Sequence, residues 1–154
     1  MRTVLLQLNK TVVFERIALT TAYYGVRNDE TPCYDRVALV EADRPWVEDT
    51  LRNAFQRLRN LFAPFLWDDL DEAPDSTAFV LRLRVPPTVT PSHLDRWTIL
   101  GYAYLEAFTL AEWFGICAPA MAVTWQERRD DCWQQLSTSA KLYHRRARVR
   151  LPPI

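Results

Sequence analysis

The chain has 154 residues and a mass of 18.0 kDa, with 49% hydrophobic and 12% aromatic residues, which excludes a wholly disordered chain and gives one domain enough apolar surface for a core. Lys and Arg (19) balance Asp and Glu (19), so a general binder of nucleic acid or of an acidic membrane is excluded on charge. Three cysteines, at 33, 117 and 132, fit neither a disulfide framework nor a zinc module.

Residues 3–8 alternate as an extended segment, and Asn9 is placed to cap a helix through about Tyr24 that Gly25 ends. The run before Asn9 is too short for a signal peptide, and no stretch approaches the ~20 apolar residues of a membrane span. Residues 25–41 are expected to be a long connection in which Tyr34 to Val40 could form a short strand. Asp43 can cap a second helix with Pro45 in its first turn; Trp46, Val47, Leu51, Ala54, Phe55, Leu58, Phe62 and Phe65 keep helical spacing, and Pro64 ends or kinks it.

Between 78 and 85, Phe79, Leu81, Leu83 and Val85 alternate with Val80, Arg82 and Arg84, a period of two that specifies a strand. One strand cannot satisfy its own backbone, so it needs residues 3–8, residues 34–40 or another subunit as partner. Thr90-Pro91 is a helix start, and the helix to about Ile116 is apolar around most of its circumference, as expected at the centre of a bundle. Gly115 is expected to close it. Ala118-Pro119 opens a last helix to about Arg146 with Met121, Trp125, Cys132, Leu136, Ala140 and Tyr143 as its seam. The expected fold is mainly α, a bundle of about four helices with a small β element, in one domain (1–146) followed by a basic, proline-ended arm (147–154).

No catalytic, metal or cofactor constellation emerges. His93 and His144 stand in neither an H-x-x-x-H nor an H-x-x-E-H spacing and fit surface or capping roles. Cys117 and Cys132 lie among aromatic residues as small core side chains, and no base is placed near Cys33. With glycine only at 25, 101 and 115, no phosphate cradle can be built.

Charge is unevenly spread. Lys141, Arg145, Arg146, Arg148 and Arg150 are the last five cations, no acid accompanies them, and residues 1–140 are left with an excess of acids. Asp68, Asp69, Asp71, Glu72 and Asp75 form an acidic run, without the residue order or glycine of a calcium-binding loop. Cations at a helix carboxyl end complement its dipole, which accounts for Lys141, Arg145 and Arg146. The alternation from Arg146 to Leu151 suits addition to the edge of another sheet, and contact with nucleic acid is the alternative use of the same arginines. These two charged segments are the candidate partner-binding residues.

Several features share one layout. They are the Asn9-capped helix ending Thr20-Thr21-Ala22-Tyr23-Tyr24-Gly25, the Cys33-Tyr34-Asp35-Arg36 segment, and the Asp43-Arg44 helix start with Phe62-Ala63-Pro64-Phe65-Leu66 at its end. The strand 78–85, two apolar helices and the basic tail complete the series. In this order they resemble small proteins encoded among virion genes of phages and prophages of Bacteroidetes. The helices from Asp43 and Thr90, with the Trp113 segment, are also similar in order to head–tail adaptor proteins of tailed phages, which form a ring beneath the portal, although those adaptors are more uniformly helical at their start. The resemblance implies a structural, non-enzymatic virion protein assembled in the host cytoplasm, with copies of itself and portal or tail components as partners and no membrane. A ring needs unlike surfaces that meet, and the acidic run and basic tail would provide them.

Overall fold

The computed structural model describes residues 1–27, 37–67 and 77–148. Strand β1 (Arg2–Asn9) pairs antiparallel with β2 (Ala78–Val85), Leu8 opposite Phe79, Leu6 opposite Leu81 and Val4 opposite Leu83. The period of two places Leu6, Leu8, Phe79, Leu81, Leu83 and Val85 on one buried face, and leaves Thr3, Leu5 and Gln7 on the other, in solvent. Residues 3–8 are therefore the partner of the strand at 78–85. Val37 to Val40 belong to no strand, and residues 34–36 lie outside the described residues.

No loop separates β1 from helix α1 (Lys10–Arg27). Asn9 makes the junction, its Oδ1 accepting from the amides of Thr11 (2.9 Å) and Val12 (3.2 Å), while the Lys10 amide still donates to Thr77 O at 3.0 Å. The expected stop at Gly25 is not used, because α1 continues through it to Arg27. A glycine ends a helix by turning left-handed, and no described glycine has positive φ. On the inner face, buried Thr21 donates to Ala18 O (3.0 Å) and accepts the Leu39 amide (3.1 Å), and Trp113 Nε1 donates to Val37 O at 2.7 Å. These two side chains pin the 37–39 segment, whose residues are all buried, against the bundle. Thr21→Val would strand the Leu39 amide in the interior. We expect it to cost about 1–3 kcal/mol, read as a lower urea midpoint at unchanged slope, whereas Thr21→Ser keeps most of that stability.

Helix α2 (Arg44–Leu61) follows a 3-10 turn, Glu41–Asp43. Asp43 does not cap α2 as expected; its carboxylate turns back to the Val40 amide (2.9 Å) and so closes the 3-10 turn. Arg44 replaces it as the structural link at this end. It pairs with Glu41 at 2.6 Å, which holds the Glu41 carboxyl below its ordinary range, and it lies 4.2 Å from the centre of the Phe14 ring on α1. Val47, Leu51, Ala54, Phe55 and Leu58 form the buried stripe. Pro64 terminates rather than kinks the helix, standing in a second 3-10 turn, Ala63–Phe65, that buries Phe65.

Helix α3 (Pro91–Cys117) is the central element, touching α1, α2, β1 and the last helix α4 (Pro119–Arg148). Its all-round apolar sequence finds partners on each side. Gly115 does not close it; Ala118 does, with φ −149° and ψ 71°. Pro119 disfavours the helical conformation in the residue before it, so the break falls at 118 and α4 starts at once. Among the described residues the fold is mainly α, four helices packed on one face of a two-stranded antiparallel sheet, with one continuous core from β1 to Tyr143.

Candidate functional site

Of the ten charged residues singled out in the sequence, the acidic five (Asp68, Asp69, Asp71, Glu72, Asp75) and Arg150 lie outside the described residues. Lys141 is exposed on α4, and Arg145, Arg146 and Arg148 continue that helix. The strand-like alternation from Arg146 is thus helical as far as Arg148, because the α4 hydrogen-bond ladder carries through these residues. Cys33 also lies outside the described residues.

The described histidines are structural. His93, three residues into α3, accepts the Thr90 amide on Nδ1 at 3.0 Å, while its Nε2 lies 2.6 Å from the Tyr143 hydroxyl. That pattern assigns the proton of the neutral ring to Nε2, which donates to Tyr143. His93 therefore caps one helix and ties it to the end of another. His144 packs edge-on to Phe65.

Both described cysteines are half-buried, and burial pushes each thiol up. For Cys132 the neighbouring Asp131 and Glu106 add to the effect, so the thiolate is disfavoured where a nucleophile would need it. Glu106 is itself raised by burial, with Arg16 and Arg128 opposing. No three His, Cys, Asp or Glu side chains among the described residues converge as a metal site, and no described helix is long and apolar enough to cross a membrane.

Two grooves flank Arg57 on α2. One, of about 560 Å³, runs between α2, α3 and α4 past Asn60, Tyr104, Arg129 and Trp133. The other, of about 540 Å³, runs between α2 and α3 past Asn53, Phe108 and Glu112. Their arginines already have partners within the fold. Arg57 lies 5.1 Å over the Phe108 ring and also bonds to Tyr104, whose phenol burial raises and Arg57 moderates. Arg129 pairs with Asp130 at 3.0 Å. The sequence had no signal for either groove, since the linings come from helices far apart in the chain.

The backbone groups of β1 are different. The Lys10–Thr77 bond fixes the phase of the ladder, so even-numbered residues of β1 bond to β2 and the amides and carbonyls of Thr3, Leu5 and Gln7 point away from it. Nothing among the described residues bonds to these outward groups. The far edge of the sheet is treated otherwise, because Trp67 N–H donates to Arg82 O at 3.0 Å and Leu66 bridges to Leu83. At the end of β1 the Asn9 amide donates to the Tyr102 hydroxyl at 2.8 Å. Among the described residues the sheet thus presents one open edge, three residues of outward backbone long, closed off by Tyr102.

The chain matches no family model, no curated protein and no solved structure. Function therefore has to be argued from chemistry and shape. On that basis the open edge stands out, since its polar groups find no partner among the described residues. Sequence reasoning named residues 3–8 only as a possible strand. Their alternation was visible in Leu6 and Leu8, but which side of the sheet would stay uncovered was decided by the placement of Leu66 and Trp67.

Proposed function

We propose that this chain is a structural component that works by assembly, set in the neck of a tailed-phage or prophage virion as a head–tail adaptor that forms a ring. The observation that carries the assembly reading is the open edge of β1, whose hydrogen-bonding groups another chain can complete. The virion setting rests on the order of elements and segments that resembles virion-region and adaptor proteins. In this reading the arm after Arg148 and the acidic run at 68–75 are the unlike surfaces that join copies head to tail, and the portal and tail proteins are the further partners.

Light scattering and negative-stain microscopy of the concentrated full-length chain, alone and mixed with a tailed-phage portal protein, test this. Rings or larger particles are expected. Deleting residues 149–154 should abolish them while the helical circular dichroism stays as it was, because the deletion leaves every described residue of α4 in place. A protein that never exceeds two copies, with or without the portal protein, rejects the ring. A shift of nucleic acid in gels that weakens steeply with salt would favour the phosphate-binding use of the arginines instead.

A further inference from the structure

The open edge has properties that identify its occupant. Among the described residues its free groups belong to Thr3, Leu5 and Gln7, bounded on one side by the start of β1 at Arg2 and on the other by the Asn9–Tyr102 hydrogen bond. Their midpoint is Leu5. An antiparallel strand laid on the edge about a two-fold axis at Leu5 sets Leu5 opposite Leu5 and Thr3 opposite Gln7, and each of these pairs exchanges both backbone hydrogen bonds. The edge complements itself in register and in length.

Its side chains agree. Thr3, Leu5 and Gln7 are uncharged, so the two-fold brings no like charges together, and threonine and glutamine are able to hydrogen-bond across the strands. Leu5, 55% exposed, would meet its own copy at the axis. Edges that must stay single carry lysine, proline or a bulge, and β1 has none of these along its free stretch. The charged residue nearest to it on the strand, Arg2, is drawn away to the Val89 carbonyl at 2.6 Å.

We propose that β1 pairs antiparallel with β1 of a second copy of this chain about a two-fold axis at Leu5, making one continuous sheet in the order β2, β1, β1, β2. This rests on the assembly reading and names its first partner. The contact is isologous and closes at two copies, so a ring would be built from such pairs by the separate head-to-tail contact. A single strand edge buries little surface, which places the pair among associations that form and part with concentration.

Sedimentation of the full-length chain over a wide concentration range is the direct measurement, with Leu5→Lys and Leu5→Cys beside the wild type. The expected wild-type mass rises from one chain to two as the first step, before the larger particles form. Leu5→Lys, which sets two ammonium groups face to face at the axis, should remove the two-chain step, with circular dichroism unchanged and the melting temperature lowered by no more than a like-charge pair with the opposing Arg82 costs. Mild oxidation should link Leu5→Cys into a two-chain band on a non-reducing gel, which the wild type, carrying only the native cysteines, and Leu19→Cys, at a more exposed helical position, do not give. A wild type of one-chain mass at every concentration, or a two-chain mass that Leu5→Lys leaves intact, overturns the pairing. Larger particles that Leu5→Lys does not affect overturn it too while leaving the ring standing; a two-copy limit abolished by Leu5→Lys supports the pairing and rejects the ring.

Discussion

Replacing Trp97 by alanine is expected to lower the melting temperature by roughly 6–20 °C, the equivalent of about 3–5 kcal/mol in a protein of this size. Trp97 is 1% exposed and stands where three elements meet. Its ring centre is 5.0 Å from Phe62 after α2, 6.1 Å from Phe65 in the following 3-10 turn, and 6.1 Å from Tyr143 on α4. Its indole N–H donates to Ser139 Oγ at 2.8 Å. Truncation opens a cavity between these helices, and the surrounding rings cannot collapse into it without leaving their own contacts. Trp97→Phe separates the two contributions. It keeps an aromatic body and loses the Ser139 bond, so a loss of about 1–2 kcal/mol is expected. If thermal unfolding followed by far-ultraviolet circular dichroism put Trp97→Ala within a degree or two of the wild type, the aromatic junction would not be what joins these helices.

That junction was partly legible in the sequence. Phe62, Phe65, Trp97 and Tyr143 all fell on predicted apolar faces, because helical spacing reports which side of a helix is buried. Spacing does not report what it is buried against. The capping role of His93 was open for the same reason: His93 in a first turn suggests a cap, but its bond to Tyr143, fifty residues on, requires the packing of α3 on α4. Helix ends show the clearest failures. Gly25 and Gly115 were expected to stop their helices and did not, since glycine permits a left-handed turn without demanding one, whereas proline at 119 constrains its predecessor by steric exclusion and did set the boundary. Asp43 has the side chain of a helix cap, yet a nearer amide, that of Val40, took it.

The candidate site divides along a similar line. Charge runs are conspicuous in a sequence and were chosen on that ground. The open edge consists of backbone, which has no letter of its own, and whether a strand is an edge depends on everything that could have covered it. What the sequence did carry was the neutrality of Thr3, Leu5 and Gln7, a feature that means little for a strand in the middle of a sheet and much for one at its border.

The placement of β1 can be tested through its closest approach to α3. A Cβ added to Gly101 would lie 3.3 and 3.4 Å from the two methyl carbons of Leu8, and Leu8 is wholly buried. Leu8→Ala alone is expected to cost about 2–5 kcal/mol through lost burial and the cavity left behind. Gly101→Ala brings two opposing effects. Alanine in a helix interior gains about 1 kcal/mol over glycine, but the new methyl forces a packed leucine to move by a few tenths of an ångström, and overpacking of a filled core costs about 1–3 kcal/mol. The second effect should win in the wild type, so that Gly101→Ala lowers the denaturation midpoint there. In the Leu8→Ala background the space is free, and the same substitution should raise it. Such a reversal of sign is a coupling that only direct contact explains, whereas equal effects in both backgrounds would mean that β1 does not lie on this turn of α3. Tyr102 follows Gly101 by one residue and holds the Asn9 amide, so the contact that seats Leu8 also fixes where the open edge ends. Gly101→Ala in the wild type should therefore weaken self-association as well as the fold.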